Sequence, residues 1–247
     1  MNKLAVLAFS ILLFLSTMLW YLANGSLNDY LKSQIELQGQ YYSGQKASLL
    51  LAEFSDNTNS AQLNQLTLSN LASYQAKNVL NIDEVFIEVS AQQNSGLLTK
   101  IDKVTLNKLI INIEENKDGL SNIEQLIQTI SLTLAKDYPQ SYPAISAKIY
   151  AQEHPELDAE QYAKSHPEAG VITEHTKAKK SRGKSKPKVI IAAVNIKTLE
   201  LNIIKKDITQ SVQKQNITVK DIGGNEGVEI NQIGGEVLLN LLKLAQS

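Results

Sequence analysis

Lys103-Val104-Thr105-Leu106-Asn107-Lys108-Leu109-Ile110-Ile111-Asn112-Ile113 is followed, after a short polar break, by Asp118-Gly119-Leu120-Ser121-Asn122-Ile123-Glu124-Gln125-Leu126. Between the two the apolar period changes. Leu109, Ile111 and Ile113 recur with a period of two, and polar residues fill many of the alternate positions, as on a strand with one buried face. Ile123, Leu126, Ile127 and Ile130 fall on one stripe of a helix. Ser121 and Glu124 stand at the spacing of a capping box in front of that stripe. A strand therefore runs through a glycine turn into an amphipathic helix that lies on the sheet and ends before Pro139.

Upstream, the same period of two appears in Leu66 and Leu68 and in Val85, Ile87 and Val89. Strands are expected over Gly44–Ser55, Gln62–Asn70, Val79–Ala91 and Leu98–Glu114, with breaks at Asn57–Ser60 and Gln92–Gly96. A short helix over Ser26–Gln38, ended by Gly39, precedes them. Downstream, Asp137 to Lys188 holds all five prolines and all three histidines with little apolar periodicity. It reads as an insertion with short helices near Tyr142–Tyr150 and Leu157–Lys164 and a disordered basic end. Strands resume with Val194, Ile196, Leu199, Leu201 and Ile203, and again with Ile217 and Val219. Asp221-Ile222-Gly223-Gly224 makes a turn, and a last helix from Val228 carries Ile233, Val237, Leu238, Leu241 and Leu242, interrupted by Gly234-Gly235.

Strands followed by a helix, twice over, give an α+β fold with a largely antiparallel, curved sheet and amphipathic helices packed on it, and no βαβ unit. The expected organisation is an anchor over residues 1–25, a first part of the β-rich domain over 26–136, the insertion over 137–188, and a second part over 189–247.

Leu4–Leu22 is a run of 19 residues without a charge, close to the ~20 that cross a bilayer as a helix. Lys3 precedes it and Trp20-Tyr21 close it, so the positive-inside rule places Met1 in the cytoplasm and the body outside. The alternative is a signal peptide cut before Ser26. Either way the body leaves the cytoplasm, which argues against nucleic-acid partners. The expected location is the inner membrane, single-pass, with the main domain periplasmic.

The 247 residues contain no cysteine, which removes thiol catalysis, Cys-ligated metals and disulfides. No Gly-x-Ser-x-Gly elbow is present, and no catalytic residue, cofactor or metal site is assigned. His154, His166 and His175 match no compact ligand spacing, and Gly183-Lys184-Ser185 lacks the leading glycine of a phosphate loop. The net charge of −1 hides a local concentration. Lys177, Lys179, Lys180, Arg182, Lys184, Lys186 and Lys188 make a basic tract, either a solvated linker or a contact for anionic headgroups or an acidic partner.

The order of an N-terminal anchor, a strand pair, the Lys103–Ile113 run, the Asp118–Leu126 turn and helix start, and the late strand-turn Ile217-Thr218-Val219-Lys220-Asp221-Ile222-Gly223 resembles the N-terminal module of AsmA-family proteins. That resemblance implies an envelope protein without enzymatic activity that supports envelope biogenesis or lipid homeostasis, by binding phospholipid or another envelope protein. The chain lacks the long repetitive β region of the larger members. Two readings of the strand faces stay open. Val85, Ile87, Val89, Leu109, Ile111 and Ile113 either line a groove for lipid chains or form a core closed by the helices. The other function to weigh is an assembly adaptor that docks an envelope protein through its sheet edge and basic tract.

Overall fold

The structure is a computed structural model and describes residues 27–55, 57–89, 97–153, 186–205 and 208–246. The Leu4–Leu22 segment, the break at Gln92–Gly96, the helix expected over Leu157–Lys164 and all three histidines lie outside the described residues. Among these residues no helix is long and apolar enough to cross a membrane.

Helix α1 spans residues 27–43. Strands β1 (Ala47–Ser55), β2 (Ser60–Ser69), β3 (Asn78–Val89) and β4 (Leu98–Glu114) follow. Then come α2 (Asn122–Asp137), α3 (Pro143–Glu153), β5 (Lys188–Lys205), β6 (Ile208–Ile222), β7 (Val228–Glu229) and α4 (Ile233–Lys243). The strands form an open sheet in the order β1-β2-β3-β4-β5-β6, with β7 paired to the start of β5. The fold is α+β and the sheet mostly antiparallel, as expected, but it is uncurled where a curved sheet was expected. One pair departs from the antiparallel pattern. β4 and β5 run parallel from Leu98↔Lys188 to Glu114↔Ile204, so β4, the helices and β5 form a βαβ crossover that the sequence reading had excluded.

Two element boundaries, one cap and one expected interruption differ from expectation for local reasons. Gly39 does not end α1, because Tyr42 in its last turn is 2% exposed and donates its hydroxyl to the carbonyl of Asn231 at 2.8 Å. Gly44, with φ +67° and its N–H on the Gln40 carbonyl, stops the helix instead. At the start of α2 the Ser121 side chain makes no capping bond, because Asn122 Oδ1 accepts the Ile123 N–H at 2.8 Å. Val228 does not start the last helix, because it pairs with Val189 in β7. Gly234-Gly235 is no interruption either. It forms the first turn of α4, where a Cβ on Gly235 would stand 2.9 Å from both Tyr42 and Leu134.

The core lies between one sheet face and α1, α2 and α4. Ile123, Leu126, Ile130 and Leu134 of α2 and Leu242 of α4 are essentially inaccessible. They cover Leu109, Ile111, Val194, Ile196 and Leu199 of β4 and β5, which are 0% exposed.

A step crosses the whole sheet. The inward residues are mostly spaced by two; β4, β5 and β6 carry a spacing of three at Ile101–Val104, Ile191–Val194 and Val219–Ile222, and in every strand of the six-strand path one further spacing of three falls in a common row. The stepped pairs are Leu49 and Ala52, Leu63 and Leu66, Ile82 and Val85, Leu106 and Leu109, Ile196 and Leu199, and Lys214 and Ile217. These places face one another: Leu66 pairs with Ile82, Ile82 with Leu109, Leu109 with Leu199, and Leu199 with Lys214. Because each strand carries its own extra residue, the register survives and no single strand flips. Gln65 (φ +52°) and Asn216 (φ +55°), left-handed inside β2 and β6, take part in this row.

Candidate functional site

The six apolar positions share the helix-covered face, but in two groups. Val85, Ile87 and Val89 pair with Leu106, Val104 and Ile101 on one side of the step. Leu109 and Ile111 pair with Ile82 and Leu80 on the other. Val85 is 5% exposed and Leu109 and Ile111 are 0% exposed, all within the core. Ile87 and Ile113 pack against it half-buried, and Val89 is half-buried at the end of β3. At Val85, Leu109 and Ile111 the surface is filled by protein, the second of the two readings left open by the sequence.

The opposite sheet face is polar and bonded to itself. Asn202 Nδ2 donates to Asn112 Oδ1 at 3.0 Å, Ser211 Oγ to Asn202 Oδ1 at 2.7 Å, and Asn112 Nδ2 to the Asn78 carbonyl at 2.7 Å. Glu84 accepts from Gln62 at 2.7 Å and from Asn107. Lys108 pairs with Glu200 at 3.0 Å, and this ammonium holds the Glu200 carboxyl below its ordinary range. Such rows spend their donors and acceptors on neighbouring strands.

The two edges of the sheet are treated differently. Alongside β1, three side chains of α1 at helical spacing of four meet its backbone. Asn28 Oδ1 accepts the Phe54 N–H at 3.0 Å, Lys32 Nζ donates to the Leu50 carbonyl at 3.2 Å, and Glu36 Oε1 accepts the Leu49 N–H at 2.8 Å. Residues i, i+4 and i+8 lie on one helix face, so α1 caps that edge along its length. β6 ends the sheet on the other side with no strand beyond it among the described residues. Its first six residues, Ile208-Thr209-Gln210-Ser211-Val212-Gln213, are all exposed and uncharged. Ile208 is 73% exposed, the most of the large apolar side chains among the described residues.

Of the basic tract, Lys186 and Lys188 lie among the described residues, and Lys177, Lys179, Lys180, Arg182 and Lys184 outside them. Lys186 Nζ stands 2.9 Å from Glu229 Oε2, and that carboxylate raises the Lys186 pKa above its ordinary value. Lys188 sits half-buried at the first position of β5, where it pairs with Leu98 and Glu229. Two open clefts among the described residues are lined largely by polar groups. One, of about 310 Å³, lies where the β6 end turn meets Tyr142, Gln232, Glu236 and Asn240. Tyr142 and Gln232 both donate to Glu236 there, and burial raises the Tyr142 pKa. The other, of about 420 Å³, is bounded by Asn28, Glu53, Gln62 and Phe86. Among the described residues no group of three His, Cys, Asp or Glu side chains is placed to hold a metal.

Sequence reasoning missed a buried polar hub. Glu114, 4% exposed, accepts from Asn70 Nδ2 at 2.9 Å and from the backbone N–H groups of Gln75 and Ala76 at 2.7 and 2.8 Å. Asn122, fully buried, closes the hub by donating to Asn70 Oδ1 and to the Asn112 carbonyl. The hub fixes the loop between β2 and β3 to the start of α2, a structural task. It also missed the cap at the β1 edge, although Asn28, Lys32 and Glu36 repeat every four residues, and the uncharged start of β6, which carries no apolar alternation to draw notice.

No family model matches the chain, and no curated protein matches it.

Proposed function

We propose that the protein is an adaptor of the cell envelope that holds a partner chain by strand addition to β6. The observation that carries this reading is the asymmetry of the sheet. One edge is occupied by Asn28, Lys32 and Glu36, and the other presents the uncharged stretch Ile208–Gln213, which no strand covers among the described residues. An unpaired edge offers a row of N–H and C=O groups to an incoming strand, which gains main-chain hydrogen bonds without a built pocket.

On this reading Leu4–Leu22 anchors the chain in the inner membrane and presents the sheet outside the cytoplasm, in the arrangement that the likeness to the AsmA family implies. The basic tract then serves as a second, electrostatic contact to anionic lipid or to the partner. Phospholipid binding along Val85, Leu109 and Ile111 is less well supported, since these side chains are already buried in the core.

A photo-crosslinking amino acid placed at Ser211 in the full chain, in membranes, is expected to give a discrete adduct, while the same group at Glu53 on β1 gives none. Equal labelling at both positions, or none at Ser211, overturns the docking reading. Phospholipid retained by the purified chain and lost in an Ile87→Asp variant that remains folded would return the lipid reading to first place.

A further inference from the structure

Resting on the docking reading, we infer that the strand received by β6 is β6 of a second copy, paired antiparallel about a two-fold axis through Gln210. An isologous contact requires a surface complementary to itself. Ile208–Gln213 meets that requirement because it contains no charge, so no like charges are brought face to face. Laid antiparallel on itself with Gln210 opposite Gln210, it sets Ile208 against Val212 and Thr209 against Ser211, each pair twice. Directly opposed residues share a sheet face. The Ile–Val pairs therefore lie on the helix side, and the Thr–Ser pairs on the polar side.

Both faces of the existing sheet continue into these pairs. On the helix side Val212 stands opposite Leu201, which stands opposite Ile111 and then Leu80, so the core row reaches the edge and stops at a side chain that is 38% exposed. The copy's Ile208 covers that end. On the polar side Ser211 already donates its hydroxyl proton to Asn202, which leaves the Ser211 oxygen to accept from Thr209 of the copy. Beyond Val212 the ladder is limited, because Lys214 introduces a charge and Asn216 turns left-handed. The contact is thus a short one, Ile208 to Val212.

The absence of cysteine allows a register-specific test on the full chain in detergent. Directly opposed residues of an antiparallel pair have Cα atoms about 4.5–5.5 Å apart, within disulfide reach, whereas diagonal neighbours at about 7–8 Å are outside it. On mild oxidation Gln210→Cys should give a covalent species of twice the chain mass. Thr209→Cys and Ser211→Cys should crosslink to each other when mixed and little when alone, and Lys220→Cys should stay single. Without any cysteine, the wild-type chain should sediment as a concentration-dependent dimer, and Val212→Lys as a monomer whose melting temperature matches that of the wild type at dilutions where both are monomeric. A Gln210→Cys chain that stays single while the Ser211 photo-crosslinker captures a heavier partner overturns self-pairing and leaves docking standing. Failure of both overturns both.

Discussion

The carboxylate of Glu36 on α1 accepts the backbone N–H of Leu49 on the outer edge of β1 at 2.8 Å. With Asn28 on Phe54 and Lys32 on Leu50, it turns one helix face into a substitute for a missing strand. Asn28→Ala with Glu36→Ala leaves two edge N–H groups to water and costs about 1–2 kcal/mol, taking roughly 0.5–1.5 kcal/mol per net hydrogen bond. The double variant should also acquire a second mode of self-association through β1, read as larger species in sedimentation that persist when Val212→Lys is added.

Ile111 is 0% exposed, opposite Leu80 and Leu201 and beneath the helices. Ile111→Asp places an unpaired carboxylate there, a penalty of several kcal/mol against a total stability of about 5–15 kcal/mol. The variant should fail to accumulate or melt far below the parent, whereas Ile208→Asp on the exposed edge should melt normally. A folded Ile111→Asp protein would show that this face opens.

Removing the Glu114 side chain leaves the Gln75 and Ala76 N–H groups and the Asn70 amide without their acceptor. Each stranded buried donor costs about 1–3 kcal/mol, less where water enters, so Glu114→Ala should lose roughly 3 kcal/mol in urea unfolding. Hydrogen exchange should rise first at Gln75 and Ala76. Uniform loss of protection across the sheet would show that the hub does more than hold the loop.

Gln65 keeps a left-handed backbone inside β2, a conformation that costs a residue with a Cβ about 1 kcal/mol or more. Gln65→Gly should therefore be neutral or raise stability by up to about 1 kcal/mol, the relief offsetting glycine's greater freedom in the unfolded chain. Gly in place of neighbouring Leu66, whose side chain packs against the core, should lower it by about 2–4 kcal/mol. Paired thermal melts of the two variants decide the matter.

Much of this architecture was legible in residue order. The period of two over Leu98–Glu114 and the period of 3.6 from Ile123 gave β4 and α2 to within a residue, because each depends only on side chains a few positions apart. The spacing of three from Ile196 to Leu199 also stands in the residue order, but alternation over Val194–Ile203 alone gives it no meaning. That the same slip occurs in six strands at facing places is a property of pairing, and no single strand contains it. The parallel union of β4 with β5 is equally nonlocal, since residues 90 positions apart, such as Leu109 and Leu199, must first be brought side by side.

The same division holds at the candidate site. Composition by itself excluded thiol and Cys-metal chemistry, and alternation marked Leu109 and Ile111 as one apolar face. Whether that face stayed open depended on where α2 and α4 came to rest, and whether an edge was bare depended on which strand ended the sheet. Apolar pattern fixes the direction of burial locally, while cover is supplied by elements remote in sequence. For that reason the tertiary structure alone could close the face at Ile111, cap β1 with Glu36 and leave the outer side of Ile208–Gln213 without a strand among the described residues.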